Sequence, residues 1–530
     1  MHYAAWQKRE QNMKTKGEFT RLLGAQRGLV SPDPYSTAWV ALVPSQVDSR
    51  LPAWPETLAY ICDHQLRDGG WGEPRVYNAH ERTISTLACL LALARWPADD
   101  HAPRIERGVA ALHRYAQDLH LEAHETVGFE LLLPRLIQEL NPYDLSLPLA
   151  QWRGSLQAAH QKLRLIGELK LNYEQPRTWW FNMEMLPEDF LIRVDERLLN
   201  RFGAIETSAA ATAAYLRARR HQGQDSPRAA AFLQRLVQTG RGGVGFCWPV
   251  ELFELVWTLD GFWRAGINPH MPFVAALLRQ LNRYWEMCPR GLSSSTAFRV
   301  SDGDDTSMGY AVLRWAGLQP SSAPLLSFWD TDHFRTYHDE RTYSLSVNLH
   351  ALSALRQDLP QREHKQLAVT VTEWLRRELQ QQCGFTDKWH FSPYYVAAHA
   401  VSAFAGWDDE MAQQAVDFLL AHQLADGGWG SMPAATLEET AHAVLGLVVA
   451  QRWGLLRDPL PLAAAQRYLQ RNMAEEPQER LWVGKTLFHP VGLVRMLLYA
   501  AWSALALPAN ISPRRYWIAS DWLPPKTQCK

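Results

Sequence analysis

Three carboxylates fall within four residues in the stretch Val300-Ser301-Asp302-Gly303-Asp304-Asp305-Thr306-Ser307-Met308, and an apolar run through Leu313 follows at once. Crowded carboxylates repel one another, so at least one tends to keep its proton at neutral pH, more firmly when buried. A neutral aspartic acid in a dry pocket is an acid looking for a base. The same residues also read as a solvated acidic turn capping the next helix, because Asp and Thr are good N-caps. The choice between the two rests on what the chain places around this stretch.

A chain of 530 residues is too long for one core and predicts two or three domains. The formal net charge of -1 gives no sign of a nucleic-acid or anionic-membrane partner. Apolar residues make up an ordinary 47%, but the 23 tryptophans imply an aromatic core or an aromatic-lined cavity. The six cysteines (Cys62, Cys89, Cys247, Cys288, Cys383 and Cys529) form no CxxC pair or Cys/His cluster of zinc spacing. The first ten residues carry no apolar signal core, so a cytoplasmic enzyme is expected. Val491 to Leu507 is nearly all apolar, but Arg495 interrupts it, Pro490 and Pro508 bound it, and it is short for a membrane span; a buried helix is expected.

Helical patterns dominate. Thr83–Ala94, Ala209–Leu216, Ala229–Val237, Val274–Tyr284 and Thr440–Val449 read as buried helices, alternating strand patterns are scarce, and Gly and Pro punctuate the runs. The expected fold class is all-α. One motif repeats: Gln65-Leu66-Arg67-Asp68-Gly69-Gly70-Trp71-Gly72 recurs as Gln423-Leu424-Ala425-Asp426-Gly427-Gly428-Trp429-Gly430. Asp-Gly-Gly makes a tight turn, while Trp by burial and Gln by bonding backbone groups tie neighbouring helices. Two copies suggest two homologous helical barrels. The loop Gly240-Arg241-Gly242-Gly243-Val244-Gly245 marks the strongest break, after which the chain is expected to change domain.

Asp302-Gly303-Asp304-Asp305 resembles the DxDD motif of class II terpene cyclases, and the two Gln-x-x-Asp-Gly-Gly-Trp copies resemble the QW motifs of the same superfamily. The match extends over most of the chain. Ser31-Pro32-Asp33-Pro34-Tyr35-Ser36-Thr37-Ala38-Trp39-Val40 is similar to the family's SxYDTAWVA opening. Glu81 to Cys89, Val127-Gly128-Phe129-Glu130, Trp248 to Glu254, Asp387-Lys388-Trp389-His390 and Leu481 to Leu487 match interior landmarks. The nearest resemblance is to bacterial two-domain diterpene cyclases that make copalyl, halimadienyl or kolavenyl diphosphate. It implies a βγ architecture of two α/α-barrels with the active site between them: a first β-domain helix over 1–24, an inserted γ domain over 25–248, and the rest of β, with the DxDD motif, over 249–530. It also implies geranylgeranyl diphosphate as substrate, cyclised without loss of its diphosphate.

On this resemblance Asp304 is the proton donor, with Asp302 and Asp305 orienting and polarising it. Protonating an alkene leaves a carbocation, which aromatic faces stabilise by about 0.5–2 kcal/mol each. Phe181, Phe246, Trp248 and Trp389 are the expected lining, ahead of Trp179, Trp180, Trp329 and Phe334. In plant ent-copalyl enzymes a His and an Asn hold the water that takes the final proton. Phe181 and Phe246 align with those positions, and neither side chain accepts a proton, so the resemblance favours a rearranged skeleton, clerodane (kolavenyl) or halimane. Lys162, Lys388 and Lys485 are the expected diphosphate ligands, and Glu122, Glu125 and Glu130 the expected Mg²⁺ ligands. Class I ionisation motifs are missing: Asp408-Asp409-Glu410 lacks the further spaced carboxylate of DDxxD. A separate class I partner enzyme is therefore expected to consume the product. The alternatives are a copalyl diphosphate synthase, a squalene–hopene-type cyclase and a non-catalytic α/α-barrel binding protein.

Overall fold

The computed structural model describes residues 28–122, 124–167, 172, 176–340, 342–359, 361–382 and 384–506. The five buried helices read from the sequence are present: Thr83–Ala94 lies within Ala79–Arg95, and the others form Ala209–His221, Pro227–Thr239, Pro272–Met287 and Leu437–Arg452. The apolar stretch after Pro490 forms the helix Val491–Ala506, packed against Glu251–Ala265 and Leu437–Arg452. Among the described residues no helix is long and apolar enough to cross a membrane. The expected first helix over 1–24 lies outside the described residues.

Two closed rings of helices organise the chain. In one, Glu251–Ala265, Gly303–Trp315, Leu345–Arg356, Pro393–Phe404, Leu437–Arg452 and Val491–Ala506 pack each on the next and the last on the first. An outer layer of Pro272–Met287, Arg362–Gln381, Asp409–Ala421 and Leu460–Asn472 surrounds it. Inner helices are buried on nearly every side, and every residue of Leu345–Arg356 is buried. Outer helices bury one stripe: Arg362–Gln381 buries His364, Ala368, Val371, Leu375 and Leu379, at helical spacing. The other ring runs through Pro34–Ala41, Ala79–Arg95, Phe129–Leu140, the 3₁₀ segment Thr178–Met185 and Ala209–His221. The architecture is therefore all-α, with two α/α-barrels.

Each ring encloses its own core, one drawn from Tyr35 to Val244, the other from Phe246 to Ala504 with Val30. The chain thus changes core on leaving the glycine-rich loop, where Arg241 and Gly242 have left-handed φ of 53° and 98°. The expected boundary at 248/249 falls just beyond this change. A small apolar cluster of Val76, Leu481, Val483 and Leu487 joins the rings, beside the Arg480–Glu73 pair at 3.2 Å and the Lys485–Glu184 pair at 2.6 Å.

The repeated motif does the same work in both rings. Trp71 Nε1 donates to Ile61 O and Trp429 Nε1 to Leu419 O, both at 2.7 Å and both ten residues back. Gln65 bonds Gly69 O and Arg104 O, and Gln423 bonds Gly427 O and Pro461 O. The glutamine thus ties the turn to the next outer helix rather than capping a free helix end. Gly427 sits at φ 95° with Ala464 O only 2.5 Å from where a Cβ would lie, so glycine alone fits. Trp429 is fully buried. Replacing it with alanine removes a large ring and leaves Leu419 O without its donor; Trp429→Ala should cost about 3–5 kcal/mol in chemical denaturation. A loss under about 1 kcal/mol would contradict this clamping role.

Candidate active site

The acidic stretch opens an inner helix, as its capping reading required, but it is not solvated. Asp302 is the N-cap of Gly303–Trp315, and its Oδ1 accepts from Asp305 N at 2.7 Å. Asp302 and Asp305 are both buried. Gly303 permits a close approach: its N–H donates to Thr336 O at 2.7 Å, and a Cβ there would meet Arg335 O at 2.3 Å. The loop through Phe334 and Thr336 is braced in turn by Asn348, whose side chain bonds both Phe334 N and Phe334 O.

Two opposing effects act on these acids. A helix N-terminus favours the charged form, by about 0.3–2 kcal/mol. Desolvation disfavours it and wins. Burial pushes Asp302 up to about 7, against the hydrogen bonds from Asp305. Burial, followed by the charge and hydrogen bond of Asp302, drives Asp305 well above the carboxylate range. Asp304 differs in placement: its side chain keeps 14% of its surface accessible, and its Oδ1 lies 2.5 Å from His350 Nδ1.

His350 was not among the residues singled out from the sequence. It lies on the inner helix Leu345–Arg356, whose start is clamped by Asp387: the carboxylate accepts from Ser344 Oγ, Ser346 N and Ser346 Oγ at 2.7, 3.1 and 2.9 Å. Asp387 also accepts from Trp389 N at 3.0 Å, so this landmark residue positions both the His350 helix and an aromatic ring. His350 Nε2 lies 2.9 Å from His399 Nδ1, on the next inner helix. The available clue was a lone histidine inside each of three largely buried helices: His350, His399 and His442.

An unbroken run of aromatic contacts leads away from this histidine. Trp257 is edge-on to His350 at 5.8 Å and lies 6.3 Å from Trp482, Trp482 lies 6.5 Å from Phe488, Phe488 4.7 Å from Phe246, and Phe246 6.0 Å from Phe181. Phe253 and Tyr395 flank Trp482 at 5.0 and 5.2 Å. Of the expected lining, Phe181 and Phe246 meet at the far end of this run. Trp389 stands near the acid, its Nε1 3.4 Å from Thr336 Oγ1. Trp248 stands outside the run, packed on Phe202 and Phe232 under the Arg235 guanidinium. Trp180 belongs to the core of the other ring, with Trp179 packed against it, while Trp329 and Phe334 pack on each other at 5.2 Å. Trp257, Phe253, Trp482, Phe488 and Tyr395 were missed, because one aromatic in an apolar run looks like core until its neighbours are known.

Beneath the run, Glu438 is fully buried. Burial alone would raise it, but hydrogen bonds from His390 and His489 hold it well below the carboxylate range. Trp482 Nε1 donates to its Oε1 at 2.6 Å. His390, Glu438 and His442 converge as a metal site would. However, His390 Nδ1 accepts from Ser392 N at 3.0 Å, so in a neutral ring its hydrogen sits on Nε2 and points to the carboxylate. The group is a set of histidines gathered 3.5–4.0 Å from a buried anion, which Trp482 hydrogen-bonds.

The expected diphosphate lysines are not gathered. Lys485 is buried between the rings, bonded to Glu184 at 2.6 Å and Ser208 at 2.7 Å, 4.5 Å from the Phe181 ring. Lys388 pairs with Glu340 at 2.5 Å, next to Trp389 on the acid side. A prenyl diphosphate carries its charge at the end opposite the terminal alkene, so this position does not suit a diphosphate ligand. Lys162 pairs with Glu130. The three expected metal ligands also separate. Glu122 accepts from Ala79 N and His124 N, both at 3.2 Å, and although desolvation raises it, the His124 bonds hold it below its usual range. Glu125 touches solvent, yet desolvation and then the Glu130 charge push it up. Glu125 and Glu130 thus lie near enough for each to feel the other's charge and that of Lys162, and two carboxylates offer the hard oxygens Mg²⁺ takes; Glu122 is spent on a helix end. Asp408 of the incomplete class I motif is an N-cap bonded twice to Arg376 at 2.6 Å.

No protein-family model matches the chain. It is 31% identical over 491 residues to a type B diterpene cyclase of Mycobacterium tuberculosis, covering 89% of this chain and 95% of that protein. It is 29% identical to a (-)-kolavenyl diphosphate synthase of Tripterygium wilfordii, over 69% of this chain and 44% of that one. Among solved structures, ent-copalyl diphosphate synthase from Streptomyces platensis superposes with a TM-score of 0.74 at 26% identity, over 93% of this chain and 99% of that one.

The state of Asp302 makes stability depend on pH. In the unfolded chain this carboxyl titrates near 3.8, in the fold at about 7. The folded state therefore binds more protons between those values, and stability falls as pH rises through that window. Asn caps helices as well as Asp. Asp302→Asn should make the fall in unfolding free energy between about pH 4 and 7 shallower by roughly 2–4 kcal/mol. Parallel curves for the two proteins would show that Asp302 is not held neutral.

Proposed function

The chain belongs to the class II diterpene cyclases, and on that premise we propose that it converts geranylgeranyl diphosphate to a rearranged bicyclic diphosphate of clerodane (kolavenyl) or halimane skeleton. The observation that carries the reaction class is Asp304 itself: an acid at a helix N-terminus, hydrogen-bonded to His350 and backed by two buried, proton-retaining aspartates. His350 engages Oδ1, which leaves Oδ2 to bear the proton for the terminal alkene. As the O–H bond breaks and a C–H bond forms, the π electrons leave a tertiary cation that closes two rings. The charge left on Asp304 is met by a charge-assisted bond from His350. Neutral Asp302 and Asp305 add no anion beside it to quench the cation.

The skeleton follows from what lies at the other end of the aromatic run. Phe181 and Phe246, 65 positions apart in sequence, are in edge-to-face contact there. Rings stabilise a cation but take no proton. A bicyclic cation with no base at this point outlives 1,2-hydride and methyl shifts, and a proton is lost only after rearrangement. The carboxylate nearest that end, Glu184, is held by Lys485 at 2.6 Å and by the Tyr35 hydroxyl at 3.0 Å, so it is not free to act as a base there. The names of the relatives span both outcomes, copalyl and kolavenyl diphosphate, so the two phenylalanines carry the choice.

We place the diphosphate by Lys162, Glu125 and Glu130, on the far ring from the acid. Bound Mg²⁺ would neutralise the diphosphate charge there. Glu125 and Glu130 would hold the ion, and Lys162, released from Glu130, would bind phosphate oxygen. The intact product diphosphate would then pass to a separate class I enzyme.

Incubation with geranylgeranyl diphosphate in D₂O, then dephosphorylation and NMR, should give a rearranged bicyclic alcohol with one solvent deuterium on the former terminal alkene carbon. The double variant Phe181→His/Phe246→Asn should divert most of the product to copalol. Copalol alone from the unaltered enzyme would contradict the skeleton, and a linear alcohol without deuterium the reaction class.

A further inference from the structure

His399 touches neither the acid nor the aromatic run's far end, yet its Nδ1 sits 2.9 Å from His350 Nε2, closing a chain Asp304–His350–His399. Both histidines are buried, at 1% and 2% exposure. A neutral imidazole has one N–H and one lone pair, so the partner of one nitrogen decides what the other can do. If Nε2 of His350 accepts, Nδ1 must donate; if Nε2 donates, a neutral ring turns a lone pair toward Asp304.

The surroundings of His399 settle which way the chain runs. Its other nitrogen, Nε2, has no partner. Burial, then the charge of Arg264, then the neighbouring His350, His442 and His390, hold it well below the usual histidine range, so the ring is neutral. Arg264 is itself buried and ion-paired with Asp260 at 2.7 Å, with Nη1 unpartnered. A buried N–H without an acceptor costs more than a bare lone pair, which favours the lone pair on Nε2 of His399 and hence the hydrogen on Nδ1. His442, next along, is also neutral, and the Glu438 charge is taken up by Trp482, His390 and His489.

We propose that His399 is a positioning residue: its Nδ1–H donates to His350 Nε2 and fixes His350 as the neutral tautomer whose Nδ1–H donates to Oδ1 of Asp304. This rests on Asp304 being the acid. The consequence for the reaction is specific. A donor on Oδ1 withdraws electron density from the carboxyl and makes the Oδ2 proton more acidic. The same donor shortens onto the carboxylate once that proton has gone, so it stabilises the transition state more than the ground state. A neutral donor does this without a second positive charge facing the new carbocation. An Nε2–H ring would instead compete for the Asp304 proton.

Two measurements test this, and the first needs no turnover. In protein labelled with ¹⁵N-histidine, with the His350 signals assigned by their loss in His350→Asn, His350 should be a neutral Nδ1–H tautomer at pH 7. Both nitrogens protonated, or hydrogen on Nε2, would overturn the proposal while leaving the acid assignment standing. Second, His399→Ala should lower kcat by about 10²-fold with KM unchanged. His399→Asn, whose amide N–H can donate from the position of Nδ1, should restore most of it and keep the tautomer. An alanine variant at full kcat, or an asparagine variant as slow as alanine, would also overturn it.

Discussion

The structure depends on a contest at one helix end. The helix dipole draws negative charge to Asp302, Asp304 and Asp305, while burial between helices refuses it. The dipole acts through a few partial charges within one turn, and desolvation acts on whole carboxylates. Burial prevails at Asp302 and Asp305, which keep their protons into the neutral range or above it. Much of the fold serves this outcome: the bare backbone of Gly303 under Arg335 O, the brace from Asn348, and the Asp387 clamp that sets the His350 helix. The result is a pair of buried, proton-retaining aspartates flanking Asp304 at one helix end.

A ring of parallel inner helices explains why so many polar groups collect in one place. Their N-termini face the same end of the barrel, so Ser344, Asp387, Ser392, Thr436 and Glu438 all find free backbone or side-chain donors there. The second ring closes over that end through Arg480–Glu73, Lys485–Glu184 and the apolar contact of Val76 with Leu481, Val483 and Leu487. Landmark residues at the seam have divided tasks: Lys485 ties the two rings together, and Trp482 joins a buried anion to the aromatic run.

Helices and turns were legible in the sequence because their causes are local. The Asp-Gly-Gly turn, the N-caps and the apolar runs declare themselves within a few residues. The acidic cluster was legible for the same reason: three carboxylates in four residues stand out. Its partner was not. His350 lies 46 positions away on a helix that reads as plain core, and His399 another 49 beyond, so only ring closure brings them to Asp304. Charged side chains were ambiguous in the opposite way. Lys388, Lys485 and Glu122 have the right type for ligands, but Glu340, Glu184 and the start of a helix had already claimed them.

The central claim, that the Asp304 carboxyl hands over the proton, is tested most directly by Asp304→Asn assayed with geranylgeranyl diphosphate, its fold checked by circular dichroism and thermal unfolding. The account predicts a native fold with turnover reduced by at least about 10³-fold. A folded variant that cyclises at the wild-type rate would contradict it.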